Sequence, residues 1–381
     1  MIAFRASRIF DGHAWHDDAA LLVDGGKVAA IVPSSGIPAG VQRTDLGGGM
    51  LAPGFVDLQV NGGGGVMLND RQDVDAIATI CAAHARFGTT ALLPTLITDT
   101  PERTRAAVAA GEDAARQGIP GFLGLHLEGP HLAPSRKGAH DPALIRTMDD
   151  SDEAFLVEAR GRLPNLMVTL APDVVPAGRI RRLSAAGVAV SLGHSDATLA
   201  QARAAADAGA RMVTHLFNAM RPLGHREPGM VGAALALRNL SAGLIADGFH
   251  VDPQAVGIAL RGKAGPGKIF LVTDAMATLG TSLEGFTLNG RAIRRSGGRL
   301  TLDDGTLAGA DLDMASAVRF MHRSVGIDLG EALRMASLYP ADALGVAPTY
   351  GRLSPGSRAD FVHLADDLTA GAIWIGGQQV F

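Results

Sequence analysis

The fold class is indicated most clearly by the segment VAVSLGHSDATLAQARAAADAGARMVTHL, residues 188–216. It begins and ends with apolar runs, Val188–Leu192 and Met212–Leu216, which are typical of strands buried in a parallel sheet. The alanine-rich segment between them has helical spacing, and Ser195 or Asp196 can cap its first turn. The stretch therefore predicts a β-α-β unit with two parallel strands.

The same unit recurs along the chain after residue 50. Alanine-rich segments with helical spacing alternate with eight short apolar runs, which are Gly54–Val60, Thr90–Leu93, Gly121–Leu127, Met167–Leu170, Val188–Leu192, Met212–Leu216, Gly243–Ala246 and Ile269–Val272. Eight strands that alternate with helices predict an α/β fold, a closed (β/α)8 barrel of the TIM type. An open doubly wound sheet is the alternative, because strand number alone does not require closure.

The two ends of the chain have a different pattern. Residues 1–50 carry short alternating runs with a turn signal at Asp24-Gly25-Gly26-Lys27, and residues 351–381 carry further short runs. Such runs predict antiparallel hairpins, and each end alone has too few strands to be stable. We therefore expect residues 1–50 and 351–381 to form one small β domain beside a barrel of residues 51–350. The pattern of residues 281–308 predicts an excursion from the barrel, a segment of short strands that follows the eighth barrel strand.

Composition excludes several classes of protein. The chain has 34 Lys and Arg against 38 Asp and Glu, a net charge of −4, which gives no general attraction to nucleic acid or to an anionic membrane. No stretch reaches the ~18 apolar residues of a membrane span, and Arg5 and Arg8 argue against a secretory signal. Cys81 is the only cysteine, so we expect no intramolecular disulfide and a cytoplasmic location.

Acidic and imidazole side chains follow the predicted strands where those strands stop. Five of the eight runs lead into such a residue, namely Glu128, His194, His215, Asp247 and Asp274. Reactive groups of a barrel lie where strands end, so these side chains should meet at one rim. One carboxylate and two imidazoles, from Glu128, His194 and His215, suit a catalytic divalent cation such as zinc. A single such histidine would more often be a core residue satisfied by hydrogen bonds.

Asp274 follows the apolar run Ile269–Val272. An ionised carboxylate there is costly unless it is paired or lies near a cation. We predict that it takes a proton from a water activated by the cation and returns it to a leaving amine. That chemistry is metal-assisted hydrolysis of an amide or a similar bond. A helix cap or a structural ion pair is the alternative role.

Longer blocks surround these residues. They are LAPGFVD (51–57), QVNG (59–62), LHLEGP (125–130), KGAH (137–140), GHSDAT (193–198), THLFNAM (214–220), REPG (226–229), ADGFHVD (246–252) and VTDA (272–275). In this order they resemble the N-acetylglucosamine-6-phosphate deacetylase family of the amidohydrolase superfamily, over nearly the whole chain. The resemblance implies a barrel with a small β-sandwich domain from both termini. It also implies a homodimer that releases acetate from N-acetylglucosamine 6-phosphate, leaving glucosamine 6-phosphate.

The resemblance also implies roles for single residues. Glu128, His194 and His215 would hold the metal ion, and Asp274 would be the proton donor and acceptor. We expect the metal ion and His140 or His250 to stabilise the oxyanion that develops on the acetyl group. The sugar phosphate pocket would be lined by Ala139, His140, Asn218, Ala219, Arg226, Asp247, Gly248, Phe249, His250, Leu307, Ala308 and Gly309.

Two of these pocket residues leave a choice open. Arg226 is the preferred phosphate partner, because a guanidinium pairs with phosphate through two hydrogen bonds. The alternative is that Arg226 pairs with Glu227 or another surface acid. His250 is expected to act in its own site or in the site of a neighbouring subunit.

One departure from the superfamily bears on the number of metal ions. Many amidohydrolases carry His-x-His at the end of the first strand, which helps to hold a second metal, whereas this chain has Gln59 and Asn61. Neutral amides are poorer zinc ligands than imidazole. No lysine that could form a bridging carbamate follows Met167–Leu170. We therefore predict one ion per subunit, zinc before iron, cobalt or manganese, with at most a water-mediated contact from Gln59.

Two other functions remain open at this point. One is an amidohydrolase reaction on a different amide or cyclic amide, and the other is a catalytically silent metal-binding or sugar-binding protein. The glycines at 62–65 lack the Gly-Lys-Ser/Thr of a phosphate-binding loop. Cys81 is expected to be a buried small residue rather than a nucleophile. His84, His126 and His131 are expected to be structural or to contact the side chains of the site.

Overall fold

The structure is a computed structural model that describes residues 1–381. Seven strands come first: β1 Ile2–Arg5, β2 Arg8–Phe10, β3 Trp15–Asp17, β4 Ala19–Asp24, β5 Lys27–Pro33, β6 Gln42–Asp45 and β7 Met50–Pro53. The next ten are β8 Phe55–Val60, β9 Gly62–Gly63, β10 Val66–Met67, β11 Thr89–Ile97, β12 Leu125–Glu128, β13 Leu166–Leu170, β14 Ala189–Leu192, β15 Met212–Val213, β16 Ser241–Ile245 and β17 Ile269–Val272. The last are β18 Gly285–Leu288, β19 Arg291–Ser296, β20 Arg299–Thr301, β21 Leu307–Ala310, β22 Phe361–Leu364, β23 Ala370–Ile375 and β24 Gln378–Gln379.

Ten α-helices lie between and after these strands. They are α1 Val74–Ala85, α2 Pro101–Gln117, α3 Asp150–Arg162, α4 Ala177–Ala185, α5 Leu199–Asp207, α6 Gly229–Ala236, α7 Pro253–Gly262, α8 Met314–Phe320, α9 Leu329–Ala336 and α10 Leu338–Leu344. A single π-helical turn, Met321–Val325, extends α8. None of the helices has the length and apolar character needed to cross a membrane.

The eight predicted strands form one parallel sheet that is nearly closed. Its order is β8-β11-β12-β13-β14-β15-β16-β17, so spatial order follows chain order. The first and last strands meet at their C-terminal ends, where Val60 pairs with Ala275 and the Asp274 N–H donates to the Gln59 carbonyl at 2.9 Å. The predicted barrel is confirmed. The doubly wound alternative is wrong, because the strand order never reverses.

Helix α5 begins later than the sequence predicts. Thr198 caps it, and Gln201 completes a capping box, so the helix starts at Leu199. The side chains of Ser195 and Asp196 hydrogen-bond to neighbouring loops instead. The predicted cap at Ser195 or Asp196 is therefore wrong, because both side chains already have partners outside the helix.

Two mixed sheets are built from the chain termini. The first, in the order β5-β4-β1-β6, is N-terminal, and the second, β24-β23-β22-β7-β2-β3, combines both ends. Phe4 of the first sheet contacts Phe361 and Trp374 of the second, with ring centroids 5.0 and 5.2 Å apart. A shared apolar layer of this kind makes a small β-sandwich. The domain boundaries at 50/51 and 350/351 stay a prediction, and β7 crosses the first of them.

The excursion after the eighth barrel strand is also present. Strands β18–β21 form a four-stranded sheet in sequence order, and its apolar face packs around Met276 at the barrel rim. Strand β21 returns to the rim, where the Ala310 N–H donates to the backbone oxygen of Asp274 at 2.9 Å. The excursion therefore places Leu307–Gly309 beside the strand end that carries Asp274.

Candidate metal centre and active site

Three ligand-type side chains converge at the C-terminal rim of the barrel. Glu128 ends β12, and His194 and His215 each follow the end of a strand by two residues. The Nε2 atoms of His194 and His215 lie 3.2 and 3.1 Å from Oε1 of Glu128, and 3.0 Å from each other. All three side chains are buried. The predicted ligand set is thus brought together as a candidate site for a metal ion.

The chemistry of the donors fits a divalent cation. Nδ1 of His194 lies 2.8 Å from the backbone oxygen of Arg136, which can only accept, so Nδ1 carries the proton and Nε2 presents its lone pair. Burial alone would raise the pKa of Glu128, but the adjacent imidazoles of His194 and His215 lower that pKa well below its usual value. One carboxylate and two imidazoles from separate strands, with room for a further ligand, describe a catalytic ion site.

Asp274 lies beside these ligands and is held by two amides. Nδ2 of Asn61 donates to Oδ1 of Asp274 at 2.6 Å, and Nε2 of Gln59 donates to the same oxygen at 3.1 Å. The Gln59 Nε2 also lies 3.2 and 3.3 Å from the two carboxylate oxygens of Glu128. Burial and the charge of Glu128 raise the pKa of Asp274 to about 6. A carboxyl that titrates near neutral pH can both take and return a proton.

The backbone is strained at these strand ends. His194, His215 and Asp274 have φ angles of +47°, +30° and +51°, in the left-handed region that side chains rarely adopt. Phe217 and Ala219, just after His215, have φ angles of +79° and +48°. Strain of this kind costs about 1–3 kcal/mol per residue and concentrates at functional sites. Sequence analysis missed this feature, since no glycine marks these turns.

Glu128, His194, His215 and Asp274 line one cavity of about 350 Å³. Seven of the predicted pocket residues also line it, and these are Ala139, His140, Asn218, Ala219, His250, Leu307 and Gly309. Sequence analysis missed several further lining residues, among them Asn61, Ile97, Ser135, Arg136, Ile245, Met276 and Thr306. Ser135 and Arg136 directly precede the KGAH block, so extending that block would have found them.

Five predicted pocket residues do not line the cavity, and these are Arg226, Asp247, Gly248, Phe249 and Ala308. Asp247 supports the site indirectly, because its Oδ2 lies 2.6 Å from Nδ1 of His250. Phe249 lies under the guanidinium of Arg299, 4.4 Å from the ring centroid. His250 lines the cavity of its own chain.

Comparison with known proteins identifies the family. The sequence profile described as Amidohydrolase family matches residues 50–380, and the profile described as NagA composite domain matches residues 1–51. The chain belongs to the amidohydrolase family. Amidohydrolases are metal-dependent enzymes, and the buried group of Glu128, His194 and His215 is the candidate ion site of this amidohydrolase.

Relatives resemble this amidohydrolase over nearly its full length. An N-acetylgalactosamine-6-phosphate deacetylase of Shewanella sp. (strain ANA-3) is 40% identical, covering 96% of this chain and 97% of its own. The human N-acetylglucosamine-6-phosphate deacetylase is 40% identical, over 89% of this chain and 85% of its own. The crystal structure of N-acetylglucosamine-6-phosphate deacetylase from Pasteurella multocida matches with a TM-score of 0.95 and 35% identity, over 99% of both chains.

His140 presents a hydrogen-bond donor to the cavity of this amidohydrolase. The backbone N–H of Thr98 lies 3.3 Å from Nδ1 of His140, and the Thr98 hydroxyl lies 2.7 Å from it. Since a backbone N–H can only donate, Nδ1 accepts, and the neutral ring carries its proton on Nε2. Burial holds the pKa of His140 well below its usual value, so the ring is neutral. Its Nε2 lies 4.0 Å from Oε2 of Glu128.

Arg226 lies at the protein surface. Its side chain is exposed, does not line the cavity and forms no ion pair. The carboxylate of Glu227 instead accepts hydrogen bonds from the backbone N–H groups of Leu199 and Gly229, at 2.8 and 3.0 Å. A pair between Arg226 and Glu227 is therefore not formed. The assignment of Arg226 to the phosphate stays a prediction.

Cys81, His84 and His126 have structural surroundings. Burial raises the pKa of the Cys81 thiol to about 12, so it is not a nucleophile at neutral pH. Nε2 of His84 lies 3.0 Å from the backbone oxygen of Gly62, next to Asn61. His126 lies in the barrel interior between two threonine hydroxyls, 3.2 and 2.7 Å from its ring nitrogens.

Replacing His84 with Gln should make the free energy of unfolding fall less steeply as the pH is lowered. Burial lowers the pKa of His84 to about 4, against about 6.5 in an unfolded chain. The contribution of neutral His84 to the free energy of unfolding is therefore complete above about pH 6.5. It is lost as the pH falls toward 4, at up to about 1.4 kcal/mol per pH unit. Gln keeps an N–H donor for Gly62 but does not titrate.

Urea unfolding from about pH 6.5 down to 4.5 measures this effect. We expect the free energy of unfolding to fall less steeply in His84→Gln than in the wild type. The matched control is His225→Gln, because His225 is exposed and should leave the slope unchanged. Equal slopes in wild type and His84→Gln would contradict the prediction.

Proposed function

We propose that this amidohydrolase removes the acetyl group from N-acetylglucosamine 6-phosphate, giving glucosamine 6-phosphate and acetate. The observation that carries this proposal is the convergence of Glu128, His194, His215 and Asp274 on one cavity, in a chain similar throughout to such deacetylases. N-acetylgalactosamine 6-phosphate, which differs at C4 of the sugar, is a second candidate substrate, because the Shewanella relative is named for it.

Glu128, His194 and His215 would hold one divalent cation per subunit, for which we propose zinc rather than iron, cobalt or manganese. A bound ion of this type polarises a carbonyl group and makes a water molecule more acidic. The two side chains at the end of the first strand, Gln59 and Asn61, donate hydrogen bonds to carboxylates. Because these two positions carry neutral amides, they offer no imidazole ligand for a second metal ion. Their hydrogen bonds therefore support a site for one ion.

The proton transfers belong to Asp274. It would accept a proton from the water that attacks the acetyl carbonyl, and it would then give that proton to the sugar nitrogen as the C–N bond breaks. His140 would donate its Nε2–H to the oxyanion that develops on the acetyl oxygen. The products are the free amine and acetate, so one water is consumed in each turnover.

Several groups are suited to bind the sugar phosphate. Asn218 and His250 line the cavity, and the backbone N–H of Ala219 donates no hydrogen bond within the chain. Arg226 remains our preferred side-chain partner for the phosphate, on its residue type alone. We further propose that the protein is a cytoplasmic homodimer with neither nucleic acid nor membrane as a partner.

An acetate-release assay on zinc-loaded protein tests the proposed function. The substrates are the 6-phosphates of N-acetylglucosamine and N-acetylgalactosamine, the two sugars without phosphate, and a cyclic amide. We expect kcat/KM for at least the first phosphorylated sugar to exceed that of its unphosphorylated form by about 100-fold, the worth of one or two charge-assisted hydrogen bonds. Hydrolysis of the cyclic amide alone would favour another amidohydrolase reaction, and no hydrolysis would contradict the proposal.

A further inference from the structure

The two oxygens of the Asp274 carboxylate have different surroundings. Oδ1 accepts hydrogen bonds from Nδ2 of Asn61 at 2.6 Å and from Nε2 of Gln59 at 3.1 Å. Oδ2 has no hydrogen-bond partner in the protein, although Asp274 lines the cavity. Asn61 and Gln59 are each only 1% exposed, so water does not compete for their amides. One oxygen is thus fixed, and the other is free for chemistry.

The orientation of the Asn61 amide follows from its neighbours. Its Nδ2 faces two acceptors of Asp274, the carboxylate Oδ1 at 2.6 Å and the backbone oxygen at 3.4 Å. Turning the amide over would bring its own oxygen against both, which is repulsive. Oδ1 of Asn61 then faces away and is buried without a partner. Leaving a buried acceptor without a partner is unfavourable. The hydrogen bonds that Nδ2 donates to Asp274 compensate for this and hold Asn61 in its orientation.

The backbone holds Asn61 at the same place. Its N–H donates to the backbone oxygen of Ala275 at 2.9 Å, so the residue is tied to the chain directly after Asp274. Gln59 links the two acids, because its single Nε2 lies within 3.3 Å of oxygens from both Glu128 and Asp274. An amide between two buried carboxylates also reduces their repulsion.

We propose that Asn61 is a positioning residue for Asp274. Its amide holds Oδ1 so that Oδ2 is the oxygen that takes and returns the proton, and Gln59 supports this arrangement. Rotation about the last bond of an aspartate is otherwise soft, and it would exchange the two oxygens. The inference rests on the proposed function, because it assigns to Oδ2 the proton transfers of deacetylation.

Two variants of Asn61 test the role of the amide. Asn61→Asp keeps the size but replaces the donor by a second acidic oxygen, and Asn61→Ala removes the contact. We expect kcat for acetate release to fall about 100-fold or more in Asn61→Asp and about 10-fold in Asn61→Ala, with KM within about threefold of the wild type. Bound metal, measured by elemental analysis, should stay at the wild-type level. Asn165→Ala is the matched control.

The control loses an amide–carbonyl hydrogen bond, from Asn165 to the Leu123 oxygen, at the opposite end of the barrel strands. It should therefore keep the wild-type kcat. A crystal structure of Asn61→Ala adds a readout that does not depend on activity, and we expect the Asp274 carboxylate to be rotated or to adopt two orientations. An unmoved carboxylate, a kcat of Asn61→Asp within about twofold of the wild type, or a parallel loss of metal would overturn the proposal. If the wild type releases no acetate, the proposed function fails, and the carboxylate orientation still decides whether Asn61 positions Asp274.

Discussion

Asp274→Asn should lower kcat for acetate release by about 1,000-fold or more while the bound metal stays at the wild-type level. Asn has the same size as Asp but cannot take a proton at neutral pH, and a positioned acid–base group is typically worth about 10²–10⁴ in rate. The loss of kcat should lie in the upper part of that range, because the same side chain both accepts the proton and returns it. Steady-state kinetics and elemental analysis of the same preparation measure both quantities.

Asp342→Asn is the matched control for this variant. Asp342 lies in α10, does not line the cavity, and its nearest charged partner is Arg352 at 3.7 Å. Its replacement by Asn should keep the wild-type kcat. Near-normal turnover in Asp274→Asn would show that another group moves the proton. A loss of metal from that variant would show instead that Asp274 contributes to holding the ion.

Much of the site was predictable because a barrel converts a local pattern into a spatial one. Parallel strands in chain order bring their C-terminal ends to one rim, so Glu128, His194 and His215 could be grouped although they lie far apart in the sequence. The alternation of apolar runs and helical segments was sufficient for the fold class. Closure of the barrel depends on contacts between its first and last strands, which periodicity does not report.

Other features depend on contacts that no local pattern specifies. The hydrogen bond between Asn61 and Asp274 joins residues that follow the first and last barrel strands, and sequence analysis weighed Asn61 only as an absent metal ligand. The cap of α5 moved to Thr198 because distant loops engage the two preceding polar residues. Arg226 was chosen for its residue type, and its exposure at the protein surface depends on a loop whose course the sequence does not indicate.

His194→Ala should lose nearly all of its bound metal, and with it nearly all turnover. Each of the three ligands supplies one of only three protein donor atoms, and two donors hold a divalent ion far more weakly than three. We expect about one ion per subunit in the wild type and less than about a tenth of that in the variant after dialysis. Elemental analysis and acetate release before and after addition of zinc measure the two losses.

Thermal unfolding separates loss of the ion from loss of the fold. An ion that binds only the folded protein stabilises it, by about 2.7 kcal/mol at 100 times its dissociation constant. A chelator should therefore lower the Tm of the wild type but leave the Tm of His194→Ala unchanged, because that variant has no ion to lose. His225→Ala, at an exposed position, should behave as the wild type. Two results would contradict the assignment: His194→Ala keeps its metal, or the chelator leaves the wild-type Tm and turnover unchanged. In either case Glu128, His194 and His215 would not be the metal site of this protein. The proton-transfer role of Asp274 would then lose the ion on which it depends.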